Sequence, residues 1–156
     1  MTDAFTAHGQ FTIEREFPVA PRKVFRAWAD PSAKRQWMTC EPGMEVVAHR
    51  MDFRAGGEET IDVRGLDGAL HRFQGRYYDI VQDRRIVYTY GMHVDAAHLS
   101  VSLATLRFEA SALGTKMIFT EQVVFLDGHQ QLEERRLGTE AGFDHLALYL
   151  HESPRQ

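Results

Sequence analysis

Apolar and polar residues alternate along most of this chain, and the alternation lays out its elements. Phe11, Ile13 and Phe17 alternate with Thr12, Glu14 and Glu16. This predicts a first strand that carries Arg15 as the odd member of its inner face and ends at Pro18. Ala20-Pro21 opens a short helix over about residues 21–29, with proline where the missing N–H costs nothing and Val24, Phe25 and Trp28 on one stripe. Asp30-Pro31 repeats the device and predicts a second short helix ending near Trp37. Cys40 to Gly43 reads as a loop. Strand-length runs follow over residues 46–53, 58–64, 70–80, 86–92, 99–109 and 115–125, separated by turn signals such as Gly56-Gly57 and Asp67-Gly68. From Asp127 the period lengthens to that of a helix. Asp127 and Gln130 are spaced as a capping box, and the helix they open runs to about His151 with Thr139, Phe143, Leu146, Ala147 and Leu150 on one face.

One strand, two short helices, six antiparallel strands and a long helix predict an α+β layer arrangement. The long helix lies across a curved sheet and leaves a wedge of space, where a small-molecule pocket belongs. Gly138 and Gly142 sit one turn apart inside that helix. Each costs about 1 kcal/mol relative to alanine, so the sheet should approach closely there or room should be left for a guest.

Composition narrows the function classes. The 156 residues suit one domain with a real core, and 44% hydrophobic with 26% charged residues is ordinary for a soluble globular protein. A net charge of −4 argues against a nucleic-acid partner. The pairs Arg84-Arg85 and Arg135-Arg136 read as solvated turn and helix surface. Cys40 stands alone, which fits a reducing cytoplasm. No apolar run reaches membrane-spanning length, and Met1 to Gln10 lacks the features of a signal peptide. Eight histidines without metal-ligand spacing, and no GxSxG or phosphate loop, lead us to expect neither metal nor cofactor.

Parity yields candidate site residues. A turn near Ala112 and Leu113 pairs Phe108 with Met117, Leu106 with Phe119 and Ala104 with Glu121. Glu121, within "MIFTEQVVF", is therefore a carboxylate on an apolar inner face. In the preceding hairpin the same reasoning pairs Tyr77 with Tyr90 and Asp79 with Tyr88. His71, Phe73, Tyr77, Tyr88, Tyr90 and Met92 then share the inner face with Phe119 and Glu121, while Trp37, Phe53, Phe143 and Leu146 close the ends and roof. Buried phenols need partners, so this set reads as a polar-decorated ligand pocket. Two readings of Glu121 stand. It forms an ion pair with Arg15 or another inward arginine, or it faces a ligand. The second is favoured, because Ala104 leaves space opposite and parity forces no inward arginine on neighbouring strands.

Several stretches resemble one family: "FPVAPRKVFRAWADPSAKRQWM", "RAGGEE", "FQGRYYDIVQDRRIVYTY", and "GTKMIFTEQVVFLDG" followed by "RRLGTEAGFDHLALYL". Together they span nearly the whole chain, Phe11 to Leu150. They resemble the START-like (Bet v 1-like, SRPBCC) superfamily, and within it the branch named after the activator of Hsp90 ATPase homologue 1. The resemblance implies a helix-grip fold with a ligand cavity. The expected function is binding of a small, largely apolar, aromatic or lipid-like molecule for sensing, sequestration or transport. A cyclase or hydrolase using Glu121 as acid–base is the alternative, and a co-factor of an Hsp90-type chaperone the second. The family's chaperone-binding members carry a further N-terminal domain for which these residues leave no room. Oligomeric state stays open.

Overall fold

The computed structural model describes residues 4–38 and 43–152; Cys40, and with it most of the loop expected there, lies outside them. The elements run β1 (Thr6–Phe17), α1 (Pro21–Ala29), α2 (Pro31–Trp37), β2 (Glu45–Met51), β3 (Glu58–Arg64), β4 (Leu70–Val81), β5 (Arg85–Val94), β6 (Ala97–Ala110), β7 (Thr115–Leu126) and α3 (Leu132–Glu152). The seven strands form one antiparallel sheet in the order β1-β7-β6-β5-β4-β3-β2. Only β1 is out of sequence order, pairing with β7. The 21 residues of α3 make a rod of about 30 Å, and it packs against β1, α1 and α2. This is the α+β helix-grip arrangement.

Local chemistry explains most boundaries. Pro21 and Pro31 start α1 and α2, and the Asp30 side chain accepts the Ser32 N–H at 3.1 Å. Between β2 and β3 the chain reverses at Gly56, whose φ is 85°. A Cβ on the next residue, Gly57, would stand 2.0 Å from the Asp52 carbonyl oxygen, so no larger residue fits.

Two expectations are corrected here. The capping box is not used, because Asp127 and Gly128 adopt positive φ (53° and 85°) whereas a cap needs extended backbone. Asp127 instead donates its N–H to the Phe5 carbonyl and accepts the Phe5 N–H, tying the end of β7 to the start of β1. The β4–β5 register also differs. Tyr77 faces Tyr88, Gly75 faces Tyr90 and Asp79 faces Val87. The turn is one residue tighter than the pattern suggests, with Asp83 at φ 63°. A bulge between Tyr77 and Asp79 then leaves Tyr78 unpaired and exposed. Up to the bulge the combined slip is two residues, an even number, so every side chain of the expected inner face keeps its face. In β6–β7 the register is the one parity predicts, Ala104 opposite Glu121 included.

At the α2 end a buried charge cluster joins helix to sheet. Lys34 Nζ lies 2.6 Å from Glu59 Oε1, and the Tyr77 hydroxyl donates to the same oxygen at 2.7 Å. His49 Nε2 lies 2.8 Å from Oε2. Arg35 donates to His49 Nδ1 at 3.3 Å, which makes Nδ1 the acceptor and leaves Nε2–H to donate to Glu59. Lys34 also sits over the Trp28 ring, 5.5 Å from its centre. Burial pushes the Glu59 carboxyl up, but the Lys34 ammonium and the hydrogen bonds from His49, Lys34 and Tyr77 outweigh it and hold the group at about 2.

That value sits below the ordinary 4.5, so Glu59 stabilises the fold fully above pH 4.5 and loses this contribution as pH falls toward 2. The whole effect is roughly 3 kcal/mol. Urea unfolding between pH 6 and 2 should therefore show a steeper acid loss in the native protein than in Glu59→Gln. The variant should already be destabilised at neutral pH by the stranded Lys34 charge. Parallel acid slopes would contradict this assignment.

Candidate functional site

A cavity of about 740 Å³ lies between α3 and the concave face of the sheet, within the roughly 300–1,000 Å³ range of small-molecule sites. Its shape follows from how α3 is seated. Phe143, Leu146 and Leu150 are buried and hold the C-terminal half of the helix on the core. Toward the N-terminus, Arg135, Gly138 and Thr139 form the cavity roof instead. A Cβ on Gly138 would meet nothing within 4 Å, and the same is true of Gly142. Close helix–sheet approach is therefore not what the glycines serve. Gly138 leaves room at the cavity.

Of the residues expected at a ligand pocket, His71, Phe73, Tyr88, Tyr90, Met92, Phe119, Glu121 and Phe143 line this cavity. Period-two alternation on β4, β5 and β7 puts all but Phe143 there, and Phe143 comes from α3. Phe73 stacks on Tyr90 with ring centres 4.6 Å apart, and Phe119 meets Phe143 at 5.4 Å. Trp37, Phe53, Tyr77 and Leu146 stand elsewhere. Trp37 is buried between the short helices, its indole N–H bonded to the Ala27 carbonyl at 2.9 Å. Phe53 packs edge-on against Phe25 and Tyr77. The Tyr77 hydroxyl is committed to Glu59, and Leu146 is wholly enclosed in the core.

The polar end of the cavity centres on Glu121. Its Oε2 accepts from the Tyr90 hydroxyl at 2.7 Å, the Ser102 hydroxyl at 2.6 Å and Arg135 Nη1 at 3.1 Å. Arg135 Nη2 donates to Ser100 Oγ at 2.7 Å, and the guanidinium lies over the Tyr90 and Phe125 rings. The ion-paired reading of Glu121 is thus realised. The arginine comes from α3, which strand parity does not address. Arg15, the partner considered from the strands, reaches Glu140 and Asp144 of α3 instead. Arg136 follows the expected solvated role by pairing with Glu133 and Glu140, whereas Arg135 turns inward. Arg135, the inward Ser100 and Ser102, and Trp28 at the cavity wall were not among the expected site residues.

Pairing leaves some capacity unused. All three bonds to Glu121 converge on Oε2, and no described residue donates to Oε1. The Tyr88 phenol is buried, and no described residue hydrogen-bonds its hydroxyl. Among described side chains Trp28 Nε1 is sealed from solvent and unpaired, whereas Glu121 and Tyr88, both buried, line the cavity. Burial pushes both the Tyr88 and Tyr90 phenols up, helped by the negative charge of Glu121, so both stay protonated hydrogen-bond donors. Among the described residues no group of three or more His, Cys, Asp or Glu could hold a metal ion. No helix there is long and apolar enough to cross a membrane.

The two phenols should respond differently to loss of the hydroxyl. Tyr90→Phe removes a bond to a buried carboxylate and should cost about 1–2 kcal/mol. Tyr88→Phe removes a hydroxyl with no partner and should change stability by less than about 0.5 kcal/mol. Glu121→Gln should cost roughly 2–3 kcal/mol by leaving Arg135 without its counter-charge. Thermal and urea melts of the three variants test this ordering; a large loss in Tyr88→Phe would show a hidden structural partner.

Residues 18–151 match the model of the activator of Hsp90 ATPase homolog 1-like protein family. None of the curated proteins matches the sequence. Solved structures do. An uncharacterised protein from Rhizobium leguminosarum is 44% identical, with 97% of this chain and 100% of that one covered and a TM-score of 0.94. Mll3558 from Rhizobium loti is 35% identical over 93% of this chain and 99% of its own, with a TM-score of 0.86. CV1439 from Chromobacterium violaceum, 25% identical over 94% and 98%, superposes with a TM-score of 0.75. The START-like resemblance in the sequence is thereby confirmed. This chain belongs to the activator of Hsp90 ATPase homolog 1-like family.

Proposed function

We propose that this protein binds a small, largely apolar, flat molecule in the cavity between sheet and α3, for sensing, sequestration or transport. The observation that carries the reading is the cavity itself. Its aromatic walls (Phe73, Tyr90, Phe119, Phe143) line a volume of about 740 Å³, while Gly138 gives up helix propensity without any packing contact that would offset it. Space of this kind in a family fold that wraps a helix with a sheet supports ligand binding over a filled core. The occupant's chemistry follows from the walls, which offer ring faces for stacking and one polar end for orientation.

Trp28 borders the cavity and packs edge-on against Trp37, 4.8 Å between ring centres, so tryptophan fluorescence reports occupancy. Titration with uncharged aromatic probes should give saturable quenching with Kd below about 1 mM, the level at which association is worth roughly 4 kcal/mol. Gly138→Leu places a side chain in the roof. It should keep or slightly raise helix stability and weaken probe binding by about tenfold or more, a loss of roughly 1.4 kcal/mol. Gly142→Ala, outside the cavity lining, should stabilise without weakening binding. Quenching that Gly138→Leu does not alter would place the probe elsewhere and refute this function.

A further inference from the structure

The geometry points to a ligand that presents one uncharged hydroxyl, gripped from two sides: its O–H donates to Glu121 Oε1 while its oxygen accepts from the Tyr88 hydroxyl. This rests on the cavity being a binding site and specifies what that site recognises. Tyr88, Ala104 and Glu121 stand in one transverse row of the sheet, Tyr88 opposite Ala104 and Ala104 opposite Glu121. Alanine between them puts no bulk in the way. Tyr88 and Glu121 therefore line the cavity side by side, and neither the phenol nor the second carboxylate oxygen has a partner among the described residues. An unpaired polar group in an apolar enclosure is costly unless something completes it. The Tyr88 phenol has an O–H to donate and the carboxylate oxygen can only accept, so a hydroxyl, which both accepts and donates, bonds to the two together.

Charge sets the rest of the specificity. Arg135 already balances Glu121 at 3.1 Å, so a carboxylate or phenolate ligand would add an unbalanced negative charge next to Oε1. An ammonium would give up part of its hydration against the aromatic walls, beside a carboxylate already shared with Arg135. A neutral aromatic alcohol avoids both costs. The protonated state of Tyr88, favoured by burial and by neighbouring Tyr90 and Glu121, keeps the donor in place through the physiological range.

Four probes of one shape separate the terms: naphthalene, β-naphthol, β-naphthol methyl ether and β-naphthoate, titrated at pH 7 and followed by amide chemical shifts. β-Naphthol should bind about tenfold or more tighter than naphthalene, the scale of one charge-assisted hydrogen bond. The ether, which accepts but cannot donate, should fall near naphthalene, and the naphthoate should be weakest. Tyr88→Phe should weaken β-naphthol severalfold and leave naphthalene unchanged, in a variant whose fold is undisturbed. Equal affinities for naphthalene and β-naphthol, or a Tyr88→Phe variant that binds β-naphthol as tightly as the native chain, would overturn the hydroxyl grip while leaving the cavity reading intact. Failure of all four to bind at millimolar concentration would overturn both.

Discussion

One buried ion pair sets how the N-terminal part of the long helix meets the sheet. Arg135 reaches from α3 to Glu121 on β7, with Tyr90 and Ser102 donating to the same carboxylate oxygen and Ser100 accepting from the guanidinium. A guanidinium on its three-carbon stem is a long spacer, and its hydrogen bonds run at fixed angles. Where it stands, the helix roofs a cavity; one turn and more further on, Phe143, Leu146 and Leu150 replace the spacer with direct apolar contact. The wedge between helix and sheet is thus the difference between a charged contact and an apolar one along the same helix.

Among the described residues two carboxylates are buried, and their surroundings give them opposite characters. Glu59 has both oxygens engaged, by Lys34 and Tyr77 on one and His49 on the other, and it stands apart from the lining of the cavity under α3. It cements α2 to β2, β3 and β4. Glu121, on the cavity lining, has one oxygen saturated and the other without a partner among the described residues. A buried charge with all its lone pairs satisfied serves stability, whereas one with a lone pair left over has capacity for something that arrives later. Aromatic packing follows the same division. Phe25 and Phe53 interlock with Tyr77 at the Glu59 end, Phe73, Tyr90, Phe119 and Phe143 line open space at the Glu121 end, and Trp28, packed on Trp37 and Phe143, stands between them.

Alternation along the strands determined the sheet, the inner face and the Ala104–Glu121 register, because period two leaves a side chain only two directions and burial selects one. It survived even the β4–β5 slip, since a displacement of two residues changes partners but not faces. The prolines likewise marked α1 and α2 by the local cost of a missing N–H. Tertiary structure alone decided which charges met. Strand parity says which way Glu121 points, but Arg135 arrives from a helix 14 residues further along whose rotation depends on packing. Lys34 sits in a short amphipathic helix like any solvated lysine, and only the approach of β2, β3 and β4 to α2 buries it on Glu59. The helix start shifted for the same reason: Asp127 has a capping residue's chemistry, but the nearby N-terminus of β1 claims it first. Hydrophobic pattern is a property of each segment and can be read along the chain. Partner choice among polar groups is a property of which segments pack together, and no local period records it.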